Sequence, residues 1–410
     1  MTLGLLLGAG LAARFVASLL NVPEMLVLLA AGVLISGLVD VPLDSIGDQL
    51  LFTLGVSLIL FYGGLNLSLP VLRRVWLGLG LLVVPGVVLT AAVTGAAAYA
   101  VFDLSWTAAL LLGAVLAPTD PAILIPLFVG SRLREKVAQT VVAESAFNDP
   151  TGAALALTLA GVLLSGEGGV MEPAAEFVGD LAISTVIGIA GGLLLAAAIS
   201  SHRAGIWRES AGLAVLAVIA IGYFSLDSAG GSGYLGAFLA GLIVGNMEHL
   251  GLEMHAEHEE DMRRFASNVA DLATLLVFVV LGANLPLDDL AEHLLPALAV
   301  LAVLLLVARP LTVLACVLPD RGGGWTWREI AFLCWTRETG VVPAALVGVI
   351  VGLGVPDGDI YASVVALAIV VTLLLQALPA PWLAKRLGLL DERQRRLGEE
   401  AREPAAASHR

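Results

Sequence analysis

The sequence predicts an all-α polytopic membrane protein of about thirteen transmembrane helices, two of them broken within the membrane. Three observations carry that expectation. The 410 residues are 59% hydrophobic and 14% charged, with a mean hydropathy of +0.95, whereas soluble domains hold roughly 25% charged residues. Apolar stretches of spanning or near-spanning length recur along the whole chain. Two of them are interrupted by prolines and charged groups, APTDPA at 117–122 and TRETGVVPAAL at 336–346.

In order, the stretches fall at about 3–20, 24–39, 48–64, 75–101, 106–129, 135–165, 174–200, 209–226, 232–247, 264–285, 289–317, 327–353 and 360–383. A crossing helix needs about 20 apolar residues, so 24–39, 48–64 and 232–247 are the shortest candidates. The first stretch reads as a retained helix, because no Lys or Arg precedes Arg14 and no small-residue cleavage site follows. Of the 21 Lys and Arg, three lie within spans, Arg14, Arg309 and Arg337. The others occupy alternate loops (Arg73–Arg74, Arg132–Lys136, Arg203–Arg208, Arg263–Arg264, Arg321–Arg328) and the tail from Lys385. The intervening loops carry acids but no Lys or Arg. Positive-inside placement then puts the C-terminus in the cytoplasm and, with thirteen spans, the N-terminus outside. Residues 1–390 read as one transmembrane domain. Residues 391–410 read as a short cytoplasmic tail, expected to be disordered.

Composition also excludes classes. A net charge of −14 without a basic patch argues against nucleic acid as a partner. Cys316 and Cys334 both sit in apolar segments, which argues against a disulfide framework or a zinc site. No cofactor motif is present.

The chemistry concentrates in two neighbouring spans. APTDPA contributes Thr119 and Asp120, and ESAFNDPTG at 144–152 contributes Glu144, Ser145, Asn148 and Asp149. A charge at bilayer depth costs at least about 2.5–3.5 kcal/mol, so such residues mark an ion or proton path. Pro118 and Pro121 bracket Thr119 and Asp120 and break the helix there; a broken helix exposes carbonyls and helix ends to an ion. The plainer reading of Asp120 is an N-cap on the second half-helix. Glu144 and Asn148 are four apart, as are Ser145 and Asp149, so the four side chains converge on one polar stripe. Pro150 frees the carbonyl of Ala146 as a further oxygen. Oxygen ligands suit a hard monovalent cation, not a transition metal. The plainer reading of Glu144 is pairing with an intramembrane arginine.

The span carrying Arg337 and Glu338 is broken near Gly340 and Pro343. Two interrupted helices in separate halves of a chain point to an inverted-repeat transporter. Arg337 is the expected partner of Glu144 or Asp120, because an unpaired buried carboxylate is expensive. Arg309, ahead of Pro310, is open to either a structural or a functional role, and Arg14 is placed to snorkel. Gly241 and Gly245 form a G-x-x-x-G spacing suited to helix packing. His249, His255 and His258, among five acids in a cytoplasmic segment, read as a solvated loop, with proton sensing the alternative.

FYGGLNLSLPVLRR at 61–74, APTDP at 117–121, ESAFND at 144–149 and GSGYLGAFLAGLIVGN at 231–246 together resemble the NhaP-type branch of the monovalent cation/proton antiporters, in order and spacing. The resemblance covers nearly the whole chain, with the Asn148–Asp149 pair its most specific element. It implies thirteen helices in two inverted repeats with two crossed discontinuous helices, and a core domain moving against a dimerisation domain in a homodimer. It implies Asp149 as the exchanging carboxylate, with Thr119, Asp120, Glu144 and Ser145 around the ion. Asn148 would stand where electrogenic relatives have aspartate. One departure is visible: Thr339, not arginine, precedes Gly340, and Arg337 lies two residues earlier.

The function expected is secondary transport: Asp149 holds either a proton or a cation, Na⁺ (or Li⁺) first and K⁺ as the alternative, and only occupied forms reorient. An ion channel would show a repeated carbonyl filter or an acidic pore ring, and an intramembrane protease would show two facing aspartates. Neither pattern is present. The partners expected are monovalent cations, protons, membrane lipid and a second copy of the chain, and the compartment is a prokaryotic plasma membrane.

Overall fold

The computed structural model describes residues 2–390 apart from 21, 23, 38–45, 68, 70–75, 120–132, 167–170, 202–204 and 286. The expected tail, 391–410, lies outside the described residues. The helices are α1 (Thr2–Leu20), α2 (Glu24–Ser36), α3 (Ile46–Leu65), α4 (Trp76–Val83), α5 (Pro85–Val101), α6 (Trp106–Leu116), α7 (Glu135–Ser165), α8 (Met171–Ile199) and α9 (Ala211–Ser228). They continue with α10 (Gly233–Gly245), α11 (Ala256–Ala283), α12 (Leu287–Val303), α13 (Arg309–Val317), α14 (Trp327–Trp335), α15 (Val341–Gly352), α16 (Gly358–Thr372) and α17 (Ala380–Arg386). A π-helical turn, Leu304–Ala308, joins α12 to α13, and a second, Leu373–Ala377, follows α16.

Among the described residues, seven helical runs are long and apolar enough to cross a membrane, and six shorter apolar helices accompany them. Each of the thirteen predicted stretches overlaps one of these. The largest difference is at α11, which starts eight residues ahead of the apolar stretch at 264. Its polar first turns are held by i,i+4 pairs, Glu259 with Arg263 at 2.8 Å and Glu260 with Arg264 at 2.6 Å, and such pairs sustain a solvated helical extension. Outward-facing Phe15, Leu34, Leu194 and Leu295 are each more than 60% exposed, a surface suited to lipid hydrocarbon rather than water.

Two packed groups of helices arise from small residues, which let backbones approach. In one, α10 lies against α3 and α8. A Cβ on Gly241 would fall 2.0 Å from the Phe61 carbonyl oxygen, one on Gly245 2.3 Å from that of Leu65, and one on Gly188 2.8 Å from the Gly236 Cα. The G-x-x-x-G spacing therefore packs helices, as expected. Asn246 finishes that contact: its Nδ2 donates to the Leu67 carbonyl at 2.7 Å and its Oδ1 accepts from the Leu69 N–H at 2.9 Å. In the other group α5 meets α6, where a Cβ on Gly113 would fall 2.2 Å from the Ala91 carbonyl oxygen. Helix α7 runs between the groups.

Helix starts follow the sequence. Ser105 caps α6, Ser232 caps α10, and Thr326 with Glu329 forms a capping box on α14. Helix α6 stops at Leu116, ahead of Pro118, the rest of the predicted span to 129 lying mostly outside the described residues, and residues 336–340 separate α14 from α15. Pro150, by contrast, stays inside a continuous α7.

Candidate functional site

Helix α7 carries ESAFND to the place where the two interruptions meet. Asn148 and Ser145, three apart, share a face and grip Thr119 of the first break. Asn148 Nδ2 donates to Thr119 Oγ1 at 2.8 Å, and its Oδ1 accepts from the Thr119 N–H at 3.1 Å. The Ser145 hydroxyl donates to the Thr119 carbonyl. Thr119 is thus held at its amide, carbonyl and hydroxyl, and all three residues are buried. Pro118 packs on Gly152, where a Cβ would fall 2.6 Å from the proline ring. Asp149, next to Asn148, is half-buried. Asp120 lies outside the described residues.

Glu144 departs from expectation. Its partner is Arg309, not Arg337. Arg309 Nη1 donates to Glu144 Oε1 and Nη2 donates to Oε2 at 3.1 Å, a bidentate pair, with 4% of Glu144 and 3% of Arg309 exposed. Arg309 also donates through Nε to the Leu333 carbonyl at 2.8 Å and through Nη2 to that of Thr336 at 2.9 Å. It follows directly on the π turn Leu304–Ala308, a local widening of the kind that recurs at functional sites.

Arg337 is taken up elsewhere. Its Nη2 donates to the carbonyls of Leu116 and Ala117. The last carbonyls of a helix lack intrahelical partners and carry its negative end, so the C-terminus of α6 draws the guanidinium that the sequence suggested for Glu144. The two arginines act in parallel: Arg337, from the second break, satisfies the end of the first half-helix, and Arg309 satisfies the end of α14.

The remaining backbone of the second break is held from α16 and its π turn. Gln376 Nε2 donates to the Trp335 carbonyl at 2.6 Å, and Thr372 Oγ1 accepts from the Thr339 N–H at 3.0 Å. Sequence reasoning missed both. Their signal was available: two polar residues four apart, in the largely apolar stretch 360–383. Glu338 is buried in the same segment.

Other candidates stand apart from this cluster. Arg14 pairs with Glu24. His255 and His258 face each other, ring centroids 6.2 Å apart, at the start of α11. Cys316 donates to the Leu81 carbonyl at 3.3 Å, and both cysteines are free thiols. Chemically, the cluster offers hydroxyl and carboxylate oxygens beside neutralised helix ends, a setting for a hard cation.

Comparisons with known proteins agree with this geometry. The family model described as "Sodium/hydrogen exchanger, transmembrane" matches residues 4–386. A K(+)/H(+) antiporter NhaP2 of Shewanella sp. (strain ANA-3) is 31% identical over 376 residues, 88% of this chain and 62% of the relative. A K(+)/H(+) antiporter NhaP of Alkalimonas amylolytica is 30% identical, over 92% of this chain and 64% of its own. A probable Na(+)/H(+) antiporter 2 of Methanocaldococcus jannaschii is 28% identical over 85% of this chain and 83% of the relative. The chain thus spans under two thirds of the length of the first two. The solved sodium proton antiporter MjNhaP1 of M. jannaschii superposes with a TM-score of 0.78 at 24% identity, covering 94% of this chain and 97% of that one, which establishes a shared fold.

Proposed function

This chain belongs to the sodium/hydrogen exchanger family, and from that premise we propose that it exchanges a monovalent cation, Na⁺ first, for protons by alternating access. The observation that carries the reading is the division of labour on α7. Glu144 is committed to Arg309 and Asn148 to Thr119, and Asp149, the half-buried acid next to Asn148, is the residue to which the family resemblance gives the exchanging role. A carboxylate that holds either a proton or a cation couples the two flows when only occupied forms reorient.

In this reading Asp149 is the exchanging group, and the oxygens of Thr119, Ser145 and Asp120 complete the cation's surroundings. Glu144 contributes through its pair with Arg309, and Arg337 positions the first break. Asn148 cannot take up a proton, so one cation moves against one proton and the cycle is electroneutral. The basic loops support a C-terminus in the cytoplasm and an N-terminus outside in a prokaryotic plasma membrane. The family likeness supports a homodimer with core and dimerisation subdomains.

A second reading, K⁺/H⁺ exchange at the same site, is favoured by the names of the relatives from Shewanella and Alkalimonas. Reconstituted vesicles loaded with a pH dye test both: an imposed Na⁺ or K⁺ gradient should move protons the opposite way, and Asp149→Asn should abolish that movement while leaving a folded protein. Normal exchange in that variant would remove Asp149 from the mechanism.

A further inference from the structure

Along α7, Phe147, Thr151, Ala154 and Thr158 are spaced so as to share one side of the helix, a stripe that begins three residues after Glu144. This side packs on α8 and α10. The Phe147 ring meets that of Phe238 edge-on, centroids 4.8 Å apart. Near the other end, the Thr158 hydroxyl lies 2.8 Å from Asp180 Oδ2 of α8 and 2.9 Å from the Ala154 carbonyl of its own helix, and its one hydrogen is shared between these two acceptors.

Each side of this seam is firmly built. On the cation side, α7 is bound to the first break through Ser145 and Asn148 and, by way of Arg309, to the second through Glu144. On the far side, the turn holding Asp180 is fixed to α10: the Ser184 hydroxyl donates to the Asp180 carbonyl and accepts from the Ser232 N–H at 2.6 Å, while Ser232 caps α10. Close glycine approaches then bind α8 to α10 and α10 to α3. Between these two bodies the seam is crossed by the Phe147–Phe238 edge contact and the Thr158–Asp180 hydrogen bond.

We propose that Thr158 and Asp180 are a positioning pair for exchange, a tie between the cation-carrying helix and α8 that must open each time the site reorients. A hydrogen bond to a charged acceptor is stronger than a neutral one, which makes the pair a graded brake on reorientation, remote from the cation's ligands. The proposal rests on the alternating-access reading above.

The test uses the full chain in proteoliposomes, with Cys316→Ser and Cys334→Ser as background. Thr158→Cys with Asp180→Cys, bridged by a short bifunctional thiol reagent, should arrest exchange, and reduction should restore it. Persistent exchange in the bridged protein overturns the proposal. Without bridging, near-isosteric Thr158→Val, Asp180→Ala and their combination should raise kcat by the same factor, at least twofold, with cation KM unchanged. Asp180→Asn should fall between these and the parent, and Thr158→Ser should restore parental kcat. A change in KM, additive effects, or a kcat that is unchanged or lower overturns it. Parent vesicles without coupled exchange would defeat the alternating-access reading itself, whereas normal parent exchange with an uninhibited bridge defeats the tie alone.

Discussion

Arg309 holds Glu144 with two guanidinium nitrogens, Nη1 on Oε1 and Nη2 on Oε2 at 3.1 Å, and gives two further donors to the carbonyls of Leu333 and Thr336. One side chain thereby neutralises a buried acid and closes the end of a broken helix. Glu144 is thereby bound to its arginine in this conformation, and the proposal above gives the exchanging role to Asp149, next to Asn148 on the same helix.

Removing either partner of this pair leaves a buried charge behind and is expected to cost about 3–5 kcal/mol. Glu144→Gln and Arg309→Met should each lower the thermal unfolding temperature in detergent, and the double variant should recover part of the loss. The same cycle run with Arg337→Met in place of Arg309→Met should be close to additive. Additive behaviour for Glu144 with Arg309 would show that the pair contributes nothing.

Asn148 holds Thr119 through both ends of its amide. Asn148→Ala strands the Thr119 amide, and each buried group left unpaired costs about 1–3 kcal/mol. We expect cation KM to rise about tenfold, the equivalent of 1.4 kcal/mol, with less effect on expression. Asn148→Asp keeps the acceptor for the amide and can accept from the Thr119 hydroxyl, so it should be milder. A KM in Asn148→Ala equal to the parent's would mean that the first break does not need this clamp.

Electroneutral exchange predicts indifference to membrane potential, which acts with about 2.3 kcal/mol per net charge per 100 mV. Clamping vesicles with valinomycin and potassium should leave Na⁺-driven proton flux unchanged. If steady-state flux follows the imposed voltage, a second acid carries protons, with Asp120 and Glu338 the first to substitute.

Gly241 meets the Phe61 carbonyl so closely that a methyl group must push α10 away from α3. Gly241→Ala is expected to destabilise by about 1–3 kcal/mol, as overpacking does. Gly161→Ala, where a Cβ meets nothing within 4 Å, is the control and should be neutral or slightly stabilising. Equal unfolding temperatures for the two variants would contradict the packing described here.

Much of the molecule follows from local pattern. Apolar runs of spanning length must satisfy their backbones internally and become helices, so all thirteen segments could be read in order. Prolines beside Thr119 and a charged Thr-Arg-Glu-Thr-Gly run interrupted helices where expected. The Asn148–Asp149 pair and its four-residue spacing from Glu144 and Ser145 put the chemistry on one face of α7, because helical periodicity depends on spacing alone.

What required the tertiary structure was the choice of partner. Arg309 and Arg337 are both intramembrane arginines, and nothing in their local sequence says which one Glu144 takes. That depends on a π turn ahead of Arg309 and on the carbonyl-bearing end of α6, which lies 221 residues from Arg337 in the chain. Thr372 and Gln376 were visible only as stray polar residues until the fold set them beside the amide of Thr339 and the carbonyl of Trp335. Spacing along a helix encodes which side chains share a face. Which distant backbone groups those side chains must satisfy is set by where residues 336–340 meet the end of α6, and desolvation inside the membrane makes that choice costly to get wrong.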